Sequence, residues 1–173
     1  MLKVGITGGI GSGKTTVCKI FETLGIPVYY ADDRAKWLMT HDPELMEAIS
    51  NTFGQDAYSP EGQLNRAYLA KVIFGDDKKL AELNALVHPA VFRDGSEWHH
   101  SQTGAPYTLR EAALLFESGS YRAIDKMVVV TAPQEIRIKR VMERDQVTAD
   151  AVMARIEKQW PEEEKVKRAD YLI

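Results

Sequence analysis

The chain has 173 residues and a formal net charge of −3, with 45% hydrophobic and 27% charged residues. That length suits one domain able to bury roughly 70% of its unfolded surface, so no disulfide or metal staple is required. The charge balance argues against general adhesion to nucleic acid or membrane, and the single cysteine, Cys18, excludes an internal disulfide and fits a reducing compartment.

Residues 1–7, MLKVGIT, are short, apolar and β-branched, and predict a buried strand. After the following glycines, Val17, Ile20, Phe21 and Leu24 fall at i, i+3, i+4 and i+7, an apolar helical stripe with Gly25 at the C-cap position. The intervening run is thus a strand-to-helix turn. Gly8-x-x-x-x-Gly13-Lys14-Thr15 matches the phosphate-binding loop pattern in the structural context that pattern requires. Gly8, Gly9, Gly11 and Gly13 let backbone N–H groups point at an anion, and the helix N-terminus adds positive charge there. Lys14 would reach the β- and γ-phosphates, and the Thr15 hydroxyl would ligate Mg²⁺.

Residues 27–31 predict a second strand, leading into Ala31-Asp32-Asp33-Arg34. A carboxylate past a strand's carboxyl end is placed to take a proton from a substrate hydroxyl, whereas Asp at a helix start is also a common cap. Both readings of Asp32 stand. From Asp42 to Gln102 the pattern is mainly helical. Leu45, Ile49 and Phe53 share a face; Leu69, Val72, Ile73 and Phe74 follow, then Leu80, Leu83, Leu86 and Val87. Asp76 and Asp77 start the last helix, and Pro89 is expected to bend or break it. His99-His100 reads as a solvated helix end rather than a metal site. Tyr107 to Phe116 is apolar again, with Ala112–Phe116 as a buried strand ending at Glu117, and 126–131 predicts another strand.

Pro133 suits the first turn of a further helix, on which Ile138, Val141 and Met142 face the core. Arg137, Arg140 and Arg144 fall at i, i+3 and i+7, with Arg155 on a helix begun near Thr148. They form either a solvated face paired with Glu143, Asp145 and Glu157 or an anion clamp, since guanidinium groups bind phosphate oxygens bidentately. Glu162-Glu-Glu-Lys reads as a solvated helix turn, and 170–173 begins a strand. Alternating strands and helices give an α/β class with a parallel sheet. The helical middle is an insertion, about 32–102, within one domain.

The ordered segments "GITGGIGSGKTT", "GIPVYYAD", "LNRAYLAKVIF", "LNALVHP", "LLFESG" and "KRVMERD", closed by Arg155-Ile-x-x-Gln159, resemble the dephospho-CoA kinase family from Lys3 to Ile173. The resemblance implies a P-loop nucleoside-triphosphate hydrolase fold, a parallel sheet flanked by helices. It adds a helical acceptor-binding insertion and a helical lid at about 137–160. It implies that ATP, with Mg²⁺, phosphorylates the ribose 3′-hydroxyl of dephospho-CoA. Gly8, Gly9, Gly11, Ser12, Gly13, Lys14, Thr15 and Thr16 would hold the ATP phosphates. Asp32 matches the family's base; Arg66, His88 and Pro89 match the acceptor-binding region; Arg140 and Arg144 match the lid.

Three departures stand out. The family often has Gln where this chain has Arg137. "REAALLFE" replaces the usual "VPLLFE", bringing Arg110 and Glu111 into a central strand without a ready physical account. The family's Asn-Gly turn and final helix, which help hold adenine, are expected to be missing. Other small-molecule kinases, such as nucleoside monophosphate or shikimate kinases, share the loop and lid plan but give no reason for "LNALVHP". A P-loop GTPase switch would carry Asn-Lys-x-Asp and Asp-x-x-Gly, and neither string occurs. The expected partners are ATP and dephospho-CoA, with no nucleic acid and no membrane. A monomer in the cytoplasm is favoured.

Overall fold

The computed structural model describes all 173 residues, which divide into two compact units, 1–30 with 98–173, and 31–97. The first holds a five-stranded parallel sheet flanked by helices. Its strands are β1 (Leu2–Thr7), β2 (Val28–Tyr30), β3 (Tyr107–Glu111), β4 (Lys126–Val129) and β5 (Tyr171–Leu172), in the order β2-β3-β1-β4-β5. β1 lies centrally, Ile6 opposite both Glu111 of β3 and Val128 of β4. Ile6, Leu109 and Val129 are fully buried. Burying each such side chain stabilises the fold by about 1.5–3 kcal/mol.

Helix α1 (Lys14–Thr23) packs on this sheet, and its inward face matches the apolar spacing only in part. Cys18 is fully buried and Val17 and Phe21 partly so, whereas Ile20 and Leu24 are 56% and 71% exposed. The contact stripe runs through Cys18 and Phe21, so Ile20 lies on the opposite flank and Leu24 falls beyond the last helical residue.

β3 also stops earlier than the sequence suggests. Residues 113–118 form a turn in which Leu115 and Phe116 are buried, and the Ser118 and Gly119 N–H groups bond to the Leu114 and Phe116 carbonyls. A continuous apolar run reports burial, and burial is common to a core strand and a buried turn. His99 is a second correction: it is 8% exposed, and its Nδ1 lies 2.7 Å from Thr108 Oγ1 on β3. Burial, followed by the Lys3 charge, lowers its pKa. Only His100 is solvated. Three further helices, α6 (Gln134–Asp145), α7 (Ala149–Ile156) and α8 (Glu162–Lys167), complete the first unit.

The second unit is helical. It contains α2 (Ala31–His41), α3 (Pro43–Phe53), α4 (Arg66–Ile73) and most of α5 (Asp77–Ser101). Asp42 and Asn65 cap α3 and α4 through the Leu45 and Tyr68 N–H groups. Asp76 accepts from the Lys78 and Lys79 N–H groups where α5 begins. Leu45, Ile49 and Phe53 are buried as their spacing predicts, and so are Leu69, Leu83 and Val87; Phe74, however, is 89% exposed at the end of α4. Pro89 does not end α5. The helix runs through it, with Val87, Ala90 and Val91 buried on either side. That packing offsets the one backbone bond proline removes.

Candidate active site

The glycine run connects β1 to α1. Gly13 is the N-cap residue at φ +103°, a left-handed conformation that costs a residue with a Cβ dearly. From there α1 starts at Lys14, and the first amides of a helix have no intrahelical acceptor. They and the helix dipole make the turn an anion site. Lys14 Nζ donates to the Gly8 carbonyl at 3.0 Å, so its ammonium curls back over the loop. Gly8, Gly9 and Ser12 are buried, Gly11, Gly13 and Lys14 half-buried, and Thr15 and Thr16 exposed. Ser12 Oγ is buried without a hydrogen-bond partner.

The three arginines of α6 part company. Arg140 Nη1 donates to the Gly11 and Ser12 carbonyls at 3.3 and 3.4 Å, placing a guanidinium on the loop. Arg137 is 3% exposed, pairs with Glu162 and donates through Nε to the Ile10 carbonyl at 3.1 Å. Burial lowers its pKa. Arg144 is exposed and forms two hydrogen bonds to Asp145, at 2.7 and 3.1 Å, while Arg155 reaches the same carboxylate at 2.7 Å. These bonds hold Asp145 down at about 2. In this arrangement Arg140 meets the phosphate loop, Arg137 is internal, and Arg144 pairs with Asp145.

The Glu162–Lys165 turn is solvated only in part: Glu163 is exposed, but Lys165 is not. Lys165 is fully buried with its ammonium 2.8 Å from Glu117 Oε1, which also accepts from the Trp160 N–H at 2.8 Å. Gln159 Oε1 accepts from the Ile10 N–H at 2.9 Å. Sequence reasoning misses this cluster because a charged tetrapeptide carries no sign of partners 25 and 48 residues upstream. It also leaves Glu111 unassigned. That carboxylate is 8% exposed at the carboxyl end of β3, and its charge, after burial, helps to raise the Cys18 thiol to about 12. A buried acid at that end of a parallel sheet is the available signal.

In the second unit, Asp32 is exposed in the first turn of α2; its neighbour Asp33 pairs with Lys36 at 2.8 Å. Arg66 is the exposed first residue of α4, and His88 and Pro89 are exposed on α5. These candidates lie on three separate helices. The structure contains no group of three or more His, Cys, Asp or Glu side chains suited to holding a metal ion, and no helix long and apolar enough to cross a membrane.

A parallel sheet whose first strand runs through a glycine loop into a helix, with lysine and arginine on that loop, defines the class: a P-loop kinase fold. A dephospho-CoA kinase from Salinibacter ruber is 42% identical over all of this chain and 88% of its own length. A solved structure from Thermus thermophilus is 37% identical, with a TM-score of 0.82 over 98% of this chain and 85% of that one. A dephospho-CoA kinase from Campylobacter jejuni is 28% identical, with a TM-score of 0.69 over 98% and 86%. Shikimate kinase from Acinetobacter baumannii, at 16% identity and a TM-score of 0.54, shares the fold alone. The sequence profile of the dephospho-CoA kinase family matches residues 2–173, and the chain belongs to that family.

Proposed function

We propose that this chain is a phosphotransferase that uses ATP to phosphorylate the ribose 3′-hydroxyl of dephospho-CoA, giving coenzyme A and ADP in the cytoplasm. The observation that carries the reading is the Gly8–Thr15 loop entering α1 with the Lys14 ammonium and Arg140 guanidinium on it, in a chain of this family. Phosphoryl transfer needs positioning and charge neutralisation more than covalent chemistry. The amides of 11–16 and Lys14 bind the triphosphate, and Arg140 and Arg144 neutralise charge on the transferring group. The segment at about 137–160 closes over it and excludes water. Asp32 orients and deprotonates the acceptor hydroxyl; Arg66, His88 and Pro89 belong to the acceptor-binding region.

Magnesium fits the donors present. The exposed Thr15 hydroxyl and the buried Glu111 carboxylate are hard oxygen ligands of the kind Mg²⁺ prefers. When bound with ATP, the ion neutralises phosphate charge.

Mass spectrometry of products after incubation with ATP, Mg²⁺ and dephospho-CoA tests the reaction; absence of coenzyme A from folded protein rejects it. Asp32→Asn tests the base. General-base catalysis is worth about 10²–10⁴ in rate, and that loss of turnover is expected with ATP affinity and melting temperature unchanged. Asp33→Asn, at an exposed side chain pointing in a different direction from Asp32, is expected to lose far less. The reverse result assigns the base to the wrong residue.

A further inference from the structure

The peptide unit of Ile10, in the middle of the phosphate loop, is held from both sides by side chains distant in sequence. Its N–H donates to Gln159 Oε1 at 2.9 Å, and its carbonyl accepts from Arg137 Nε at 3.1 Å. Arg137 lies directly on the loop. A Cβ on Gly9 would stand 2.6 Å from its guanidinium carbon, and one on Gly11 2.5 Å from its backbone oxygen. Gly11 is itself left-handed, at φ +79°.

Neither gripping residue is loose. Arg137 is paired with Glu162 at the start of α8. The segment from Gln159 to Lys165 is anchored by Glu117, through the Trp160 N–H and the Lys165 ammonium, each at 2.8 Å. Trp160 stacks on Phe116 at 5.8 Å between ring centres, and a cleft of about 270 Å³ lies between Arg137, Gln159, Trp160 and Glu162. The carboxylates of Glu117 and Glu162 each keep one buried oxygen unpartnered, so the cluster is held by a few bonds that each matter.

We infer that Arg137 and Gln159 are positioning residues for nucleotide binding. By fixing the Ile10 peptide they set the direction of the loop amides that follow it, while binding no phosphate themselves. This rests on the reading that the loop holds the ATP phosphates. A guanidinium that is 3% exposed, with one edge on a carbonyl and another on Glu162, has little capacity left for an anion. Burying that charge is tolerable only with both partners in place. The chain therefore has a reason to keep Arg137 that is unrelated to lid chemistry: replacing it alone strands Glu162.

The test uses the full chain with Gln159→Leu, which removes the acceptor for the Ile10 N–H, and the double variant Arg137→Met/Glu162→Leu, which removes the pair together. ATP affinity is measured by calorimetry. KM for ATP, KM for dephospho-CoA and kcat are measured well below each variant's melting temperature. Loss of one loop-orienting hydrogen bond is expected to weaken ATP binding and raise its KM roughly 3–10-fold, with the KM for dephospho-CoA unchanged. Unchanged ATP affinity in either folded variant, or equal rises in both KM values, overturns the inference. Lys14→Ala is the separate control: if it keeps wild-type ATP affinity, the loop is not the phosphate site and the functional reading itself fails, whatever Gln159 does.

Discussion

The two ends of α6 put the same residue type to opposite uses. Near the start, Arg137 is buried against the phosphate loop and paired with Glu162. Near the end, two turns on, Arg144 is exposed and shares Asp145 with Arg155. Spacing puts both on one helical face; what surrounds that face differs. Where α8 and the loop cover it, arginine becomes part of the interior, and its loss leaves a charge stranded. Where solvent covers it, the pairing is screened and worth little, so the guanidinium can change partners at small cost. An internal arginine holds a site in shape, and an exposed one is free to enter the chemistry.

The largest effect expected from breaking this contrast is on stability, at the buried end. Lys165→Met leaves Glu117 buried without its cation, and breaking a buried pair costs about 3–5 kcal/mol. For a chain of this size that lowers the melting temperature by roughly 6–20 °C. Lys165→Met/Glu117→Leu should recover most of the loss in calorimetry, even though the Trp160 N–H loses its acceptor. A single variant as stable as wild type would show that the pair is not buried in solution.

At the exposed end the expected damage is to rate. Arg144→Ala should leave the melting temperature within about 2 °C of wild type, because exposed pairs contribute little. If the group meets the transferring phosphoryl, kcat should fall about 10–100-fold, the scale of one charge-assisted hydrogen bond. A kcat unchanged in the folded variant would leave Arg140 as the sole charge-neutralising arginine of α6.

His99 and His100 repeat the contrast at the smallest scale. Burial keeps the folded pKa of His99 below its ordinary value, while the unfolded chain takes up the proton near pH 6.5. The unfolded state then binds more protons, so this part of the stability is complete above that pH and declines as pH falls below it. Denaturant unfolding at pH 7.5 and 5.5 should show the decline, and His99→Gln should reduce it. His100→Gln, on the exposed neighbour whose charge adds less to the shift than burial does, should reduce it less. Equal slopes for all three proteins would place both rings in solvent.

The parts of the molecule that could be read from sequence are those fixed by local chemistry. The glycine loop needs backbone freedom at stated positions. Asp76 announces a helix start, and its side chain makes the bonds that start requires. Leu45, Ile49 and Phe53 carry their burial in their spacing. The parts missed depend on partners far along the chain. Lys165 is buried because Glu117 is there, and His99 because Thr108 is there. Neither partnership leaves a mark within one helical turn. Pro89 fails in the other direction: a strong local rule for ending helices is overruled by burial of Val87, Ala90 and Val91.

Cys18 lies one turn into the helix that the phosphate loop opens, fully buried, its thiol pushed up to about 12 chiefly by burial. The thiolate is the form that reacts with alkylating and oxidising reagents, so in the native state this sulfur is inert to them. It becomes reactive only when an opening, local at α1 or global, exposes it to solvent. The chain thus carries a native clock for such opening at its nucleotide-binding helix. The rate at which a thiol reagent modifies Cys18 reports the frequency of that opening, and a ligand that binds the loop should slow the clock in proportion to its occupancy.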